Sequence, residues 1–137
     1  MKLLLSSFFA LVMTSLCVGQ TQLQLEFTGF TQEKGALMVA VFTQDNFNKA
    51  PSFAKKVAVK GDSLTLEFNN VPEGEYAVMA FQDLNGNYKL DKAPNGHPKE
   101  PFGLSQNPML MGPPTWQALK FTLEESTEPL QIKMVNN

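Results

Sequence analysis

Residues 83 to 91 read DLNGNYKLD, which sets Asp83, Asn85, Asn87 and Asp91 at alternate or near-alternate positions around Gly86. Such spacing lets side-chain oxygens converge on a hard cation: calcium loops use positions 1, 3, 5, 7 and 9 and close with a bidentate carboxylate at position 12. Counted from Asp83, the chain offers Asp83, Asn85, Asn87, the carbonyl of Lys89, and Asp91. Position 6, usually glycine, is Tyr88, and position 12 is Pro94, so the closing ligand must come from further along. Glu100 is the natural candidate. With two or three carboxylates the affinity would be on the order of 10⁻⁴ to 10⁻³ M, enough to stabilise a loop and too weak to sense a signal.

The competing reading needs no metal. Asp and Asn form turns by bonding their own backbone two residues on, and Asn-Gly is the commonest hairpin dipeptide. Both readings predict a tight turn after a strand ending at Gln82, and the two departures from the calcium pattern weigh toward the bare turn. The glycine at position 4 makes the stretch more similar to dockerin calcium loops than to a full EF-hand.

Other chemistry has less to build on. His97 is the only histidine, which excludes zinc arrangements that need two. A copper(I) site could draw on the thioethers of Met109 and Met111 with His97, and a small hydrolase could pair His97 with Ser105, Ser52 or the acids Asp83, Asp91 and Glu100. Nothing in the spacing recommends either over an exposed histidine in a Gly-Pro loop. Tyr88, Phe102, Ser105 and Trp116 are candidates for a surface that meets a peptide, a glycan or an envelope partner, although aromatics in a long loop also serve to hold it down.

The elements that must position these groups begin after an unlike segment. Residues 1–19 carry Lys2, then an apolar run and small residues, the pattern of a secretory signal peptide cut after Gly19. The run is interrupted by Ser6, Ser7, Thr14 and Ser15 and is shorter than the roughly 20 residues a spanning helix needs. Cys17 is the only cysteine and lacks the flanking residues of a lipid-anchor site, so a mature chain over 20–137 would have neither disulfide nor thiol nucleophile. That single domain would rest on its core, and removing Lys2 takes the net charge from −2 to −3. All eleven basic residues are lysine; without the arginine fork that grips phosphates and base edges, nucleic acid is not the expected partner.

Hydrophobic patterning predicts an all-β chain. Leu23, Leu25 and Phe27 alternate with polar residues, as in a half-buried strand. GALMVAVF (35–42) and EYAVMAFQ (75–82) are apolar on both faces and read as central strands. VAVK (57–60), SLTLEFN (63–69), QALKFTL (117–123) and PLQIKMV (129–135) bring the total to seven, with no long helix. Gly61-Asp62 reads as a hairpin, VPEG (71–74) as a turn and EESTE (124–128) as a solvated hairpin turn. Phe47 and Phe53 are expected to pin the loop DNFNKAPSFAKK. Seven strands without a βαβ rhythm indicate an antiparallel β-sandwich with Greek-key connections. One connection, residues 83–116, is 34 residues long and holds six of the nine prolines. Loops of that length are functional or disordered, and Tyr88, Phe102, Met109, Leu110, Met111 and Trp116 give this one the means to lie ordered across an end or edge.

Several of these stretches together resemble one bacterial family, domain of unknown function 2141. The residues that carry the resemblance are Val71, Pro72, Gly74 and Tyr76; Asp83, Asn85, Gly86, Asn87 and Asp91; Gly96, Pro98, Glu100, Gly103 and Ser105; and Pro113, Pro114 and Trp116. Tyr88 stands where the pattern commonly has glycine. The resemblance implies an exported β-sandwich similar to transthyretin-like and carboxypeptidase-regulatory-like domains. It implies no activity.

Overall fold

The computed structural model describes residues 20–136; the leader expected over 1–19, including Cys17, lies outside them. Two sheets pack face to face. β1 (Gln20–Thr28), β4 (Ser63–Pro72) and β8 (Leu130–Lys133) form one, in the order β4-β1-β8. β2 (Ala36–Phe42), β3 (Phe53–Ala58), β5 (Gly74–Asp83), β6 (Phe102–Leu104) and β7 (Phe121–Leu123) form the other. In it β3, β2 and β5 are consecutive, and β6 and β7 share the far edge of β5: β6 lies against Met79–Phe81, β7 against Gly74–Tyr76. Among the described residues no helix is long and apolar enough to cross a membrane.

The alternation seen in the sequence sets the main core. Leu23, Leu25 and Phe27 of β1 and Leu66 and Phe68 of β4 face Leu37, Val39 and Val41 of β2 and Tyr76, Val78 and Ala80 of β5, all buried. Each of the Leu, Val and Phe side chains among them contributes roughly 1.5–3 kcal/mol by leaving water. On the second face of β2 the residues Ala36, Met38 and Ala40 are half-buried, and β5 is apolar on both faces because its second face is also covered. There Ala77, Leu104, Trp116 and Leu119 form a smaller buried cluster, with Phe47, Met79, Phe102 and Leu110 packed against it. Phe47 stacks edge-on between Phe42 and Trp116, at 6.0 and 5.9 Å, and so pins its loop as expected.

The structure corrects the strand reading in four places. There are eight strands, the additional one being β6 inside the long connection. The third strand begins at Phe53, four residues before the predicted start at Val57: Phe53–Lys56 pair with Val41–Met38, and this edge position accommodates Lys55 and Lys56, whose charge discourages pairing on its open side. Of the predicted strand 117–123, the first part is a single helical turn, α1 (Trp116–Leu119), capped by the Thr115 hydroxyl, which accepts from Ala118 N. β8 runs parallel to β1, from Leu25 opposite Leu130 to Thr28 opposite Lys133.

The last correction has a common cause with the turns. Gly61-Asp62 joins β3 to β4 and residues 124–129 join β7 to β8, and each pair lies in different sheets, so neither is a hairpin. Arches between sheets use the same small and polar residues as hairpins, and only the partner strands distinguish them. Asp62 accepts from Gly29 N and Phe30 N through its carbonyl, at 3.1 and 3.2 Å, which ties that arch to the end of β1. On the other side Phe102 and Val135 exchange backbone bonds of 3.1 and 2.7 Å and join the two sheets at β6.

Candidate functional site

Asp83, 2% exposed, ends β5 and caps the loop that follows. Oδ1 accepts from Gly86 N and Oδ2 from Tyr88 N, each at 2.9 Å. Both of those residues have positive φ, +74° at Gly86 and +62° at Tyr88, so the chain curls back around the carboxylate. Two Asx turns continue the curl. Asn85 Oδ1 accepts from Asn87 N at 3.2 Å, and Asn87 Oδ1 from Lys89 N at 3.0 Å. The side-chain amides then converge: Asn85 Nδ2 donates to Asp91 at 2.6 Å, and Asn87 Nδ2 donates to both Asp91 oxygens at 2.9 and 3.1 Å.

Glu100 closes the circuit from sixteen residues away. It is 4% exposed; Oε1 accepts from Leu84 N at 2.9 Å and Oε2 from Asp91 N at 3.1 Å, so one carboxylate joins the two ends of the DLNGNYKLD stretch. A buried carboxylate is tolerable only when its oxygens find donors, and here the backbone supplies them. The structure therefore brings Asp83, Asn85, Asn87, Asp91 and Glu100 into one network, with Lys89 held on its rim. Under it Gly35, at φ +69°, lies so close to Asp83 that a Cβ there would stand 2.1 Å from the Asp83 carbonyl oxygen. Gln82 Nε2 donates to the carbonyls of Gln32 and Lys34 and locks the same approach.

Calcium would have to fit this arrangement. Each carboxylate and amide oxygen that accepts one backbone N–H keeps a further lone pair, and the donors are hard oxygens of the right type. The amide nitrogens of Asn85 and Asn87 occupy Asp91 as donors, in the role a cation would take. A calcium ion here would have to displace two amides from Asp91. Among the described residues no group of three His, Cys, Asp or Glu side chains is gathered as a metal centre.

Beside the network an open cleft of about 440 Å³ is lined by Lys34, Lys92 and Lys99 together with Asn85, Asp91 and Glu100. Beyond it residues 92–98 form a small hairpin, with Ala93 N donating to the His97 carbonyl at 2.8 Å. His97 is exposed on it, and among the described residues its ring makes no hydrogen bond or ion pair.

The remaining candidates are separated. Tyr88 is 62% exposed, with Lys56 Nζ 2.8 Å from its hydroxyl and 4.1 Å from its ring centroid, a cation–π contact that ties the loop to β3. Trp116 is buried in the second cluster, and Phe102 packs against that cluster half-buried. Ser105 is fully buried: its Oγ accepts from Val78 N at 2.9 Å and donates to the Leu119 carbonyl at 2.6 Å. These three do not form an exposed platform with Tyr88; they fasten the second half of the connection to the sheet. Met109 and Met111, expected to help pack the loop, are instead exposed, and only Leu110 between them turns inward.

A family model described as an uncharacterised protein conserved in bacteria, DUF2141, matches residues 25–131. The chain belongs to this family. The DUF2141 match spans both sheets through the start of β8 and contains the entire loop network. No match was found among curated proteins or solved structures.

Two further contacts of this DUF2141 chain are tertiary: the sequence marks Pro72 and Tyr76 as parts of one motif and gives no signal for Asn107. Asn107, at φ +46°, donates through Nδ2 to the Gln131 carbonyl at 2.9 Å and accepts from Lys133 N at 2.7 Å, acting as a one-residue partner for the open edge of β8. Tyr76 donates from its hydroxyl to the Pro72 carbonyl at 2.7 Å across the β4–β5 arch, and burial pushes its phenol pKa up.

Proposed function

We propose that this DUF2141 protein is an exported, non-enzymatic β-sandwich module whose 83–116 connection is its working part. The first half of that connection is a weak calcium loop, and its outer face receives a peptide, glycan or envelope partner. The observation that carries the reading is the convergence of Asn85 and Asn87 on Asp91, inside a loop already shaped by Asp83 and Glu100. A loop prearranged in this way has only to give up the two amide contacts to Asp91 for that carboxylate to face an ion, so little ordering entropy opposes binding. The adjoining cleft presents Lys34, Lys92 and Lys99, which suits a partner carrying carboxylate or phosphate groups.

Export rests on the composition of residues 1–19 and predicts that protein recovered from the cell envelope begins at Gln20. The alternative, a hydrolase or copper carrier built on His97, gains nothing from the arrangement, because His97, Met109 and Met111 are solvent-facing and Ser105 is bonded inside the core. A calcium titration followed by NMR of the side-chain amides tests the loop reading. The Asn85 and Asn87 NH₂ resonances should move first and saturate together in the millimolar range, whereas resonances that stay fixed would remove calcium from the account.

A further inference from the structure

The described residues include five methionines in three settings. Met134 is 2% exposed in the main core, Met38 and Met79 are half-buried in β2 and β5, and Met109 and Met111 are 93% and 98% exposed. The last two flank Leu110, which is seated against the Trp116 cluster, so the segment is anchored by its middle residue while both thioethers project into solvent. The described residues contain no cysteine, which leaves these two sulfurs as the most exposed soft nucleophiles of the described surface.

We infer that Met109 and Met111 form an oxidant-accepting pair, converted to sulfoxides by hydroperoxides without cost to the fold. The thioether lone pair attacks the terminal oxygen of a hydroperoxide; the S–O bond forms as the O–O bond breaks. The sulfur loses two electrons, and the departing oxide takes up a proton to leave as water or an alcohol. Oxidation turns a flexible apolar side chain into a polar one, and methionine sulfoxide reductases reverse it. In a core that change disrupts packing. At side chains already in water it alters only the surface, replacing two apolar projections on the face of the 83–116 connection with two polar ones. This chemistry depends on exposure alone and holds whether or not the loop binds calcium.

The test is graded oxidation of the purified full chain with hydrogen peroxide, read residue by residue by peptide mass mapping and followed by a thermal melt. Met109 and Met111 should each gain one oxygen at least about tenfold faster than Met134, which reacts only when the core opens. The doubly oxidised protein should melt as the unmodified protein does. The Met109→Leu, Met111→Leu double variant should lose the fast phase and keep its melting temperature. Met134 oxidising at a comparable rate, or a fall in melting temperature that tracks oxidation at 109 and 111, would overturn the inference.

Discussion

The two halves of the 83–116 connection are ordered by opposite means. From Asp83 to Glu100 the chain is held by polar bonds: two carboxylates take four backbone N–H groups, and two amides converge on a third carboxylate. From Pro101 to Trp116 it is held by burial, with Phe102, Leu104, Leu110 and Trp116 against the outer face of β5 and Ser105 and Asn107 satisfying backbone groups on either side. The apolar half is a second layer of core. The polar half is shaped by bonds that an ion or solvent can replace, so it is where conditions outside the protein can act.

The sharpest way to break this comparison is to remove one anchor from each half. Trp116→Ala leaves a cavity among Phe47, Leu104 and Leu119 and should cost about 3–5 kcal/mol in denaturant unfolding, as other buried aromatic deletions do. Glu100→Ala leaves Leu84 N and Asp91 N without acceptors. Because only the loop opens, the global loss should be nearer 1–2 kcal/mol, a rough figure below the full value of two charge-assisted bonds. Hydrogen exchange separates the two variants further. In Glu100→Ala the amides of Leu84 and Asp91 should lose protection while those of Met79–Phe81 keep it; in Trp116→Ala the strand amides should lose it too. Equal effects of the two changes would erase the distinction.

Much of this was legible in the residues. The alternation of Leu23, Leu25 and Phe27 and the two-faced apolar runs of β2 and β5 place the core and the central strands, and the second face of β5 explains why a long apolar loop exists at all. Asp83, Asn85, Asn87 and Asp91 are visible as a set of oxygens at turn spacing. What pattern could not give is which strand a turn leads to. Gly61-Asp62 and EESTE have hairpin composition, yet each spans two sheets, because that choice is made by the packing of distant strands. Nor does residue type separate Trp116, which supports the loop from beneath, from Tyr88, which stands on it: both are aromatics in a Pro-rich segment, and exposure is a tertiary property. Glu100 was expected as a distal ligand; its bonds to Leu84 N and Asp91 N make it first of all the fastening that gives the loop its shape.

The ion's expected effect, similar in size to that of Glu100→Ala, bears most directly on the central claim. The chain should be melted in chelator, in about 5 mM calcium and in equal magnesium. For a site of about 0.5 mM affinity the bound ion adds RT ln(1 + 10), about 1.4 kcal/mol, which for a domain of this size raises the melting temperature by roughly 4–8 °C. A rise of that size with calcium but not magnesium, abolished by Asp83→Ala while circular dichroism still shows the strands, is what the account predicts. An identical melt in all three conditions would contradict it and leave DLNGNYKLD a hydrogen-bonded turn.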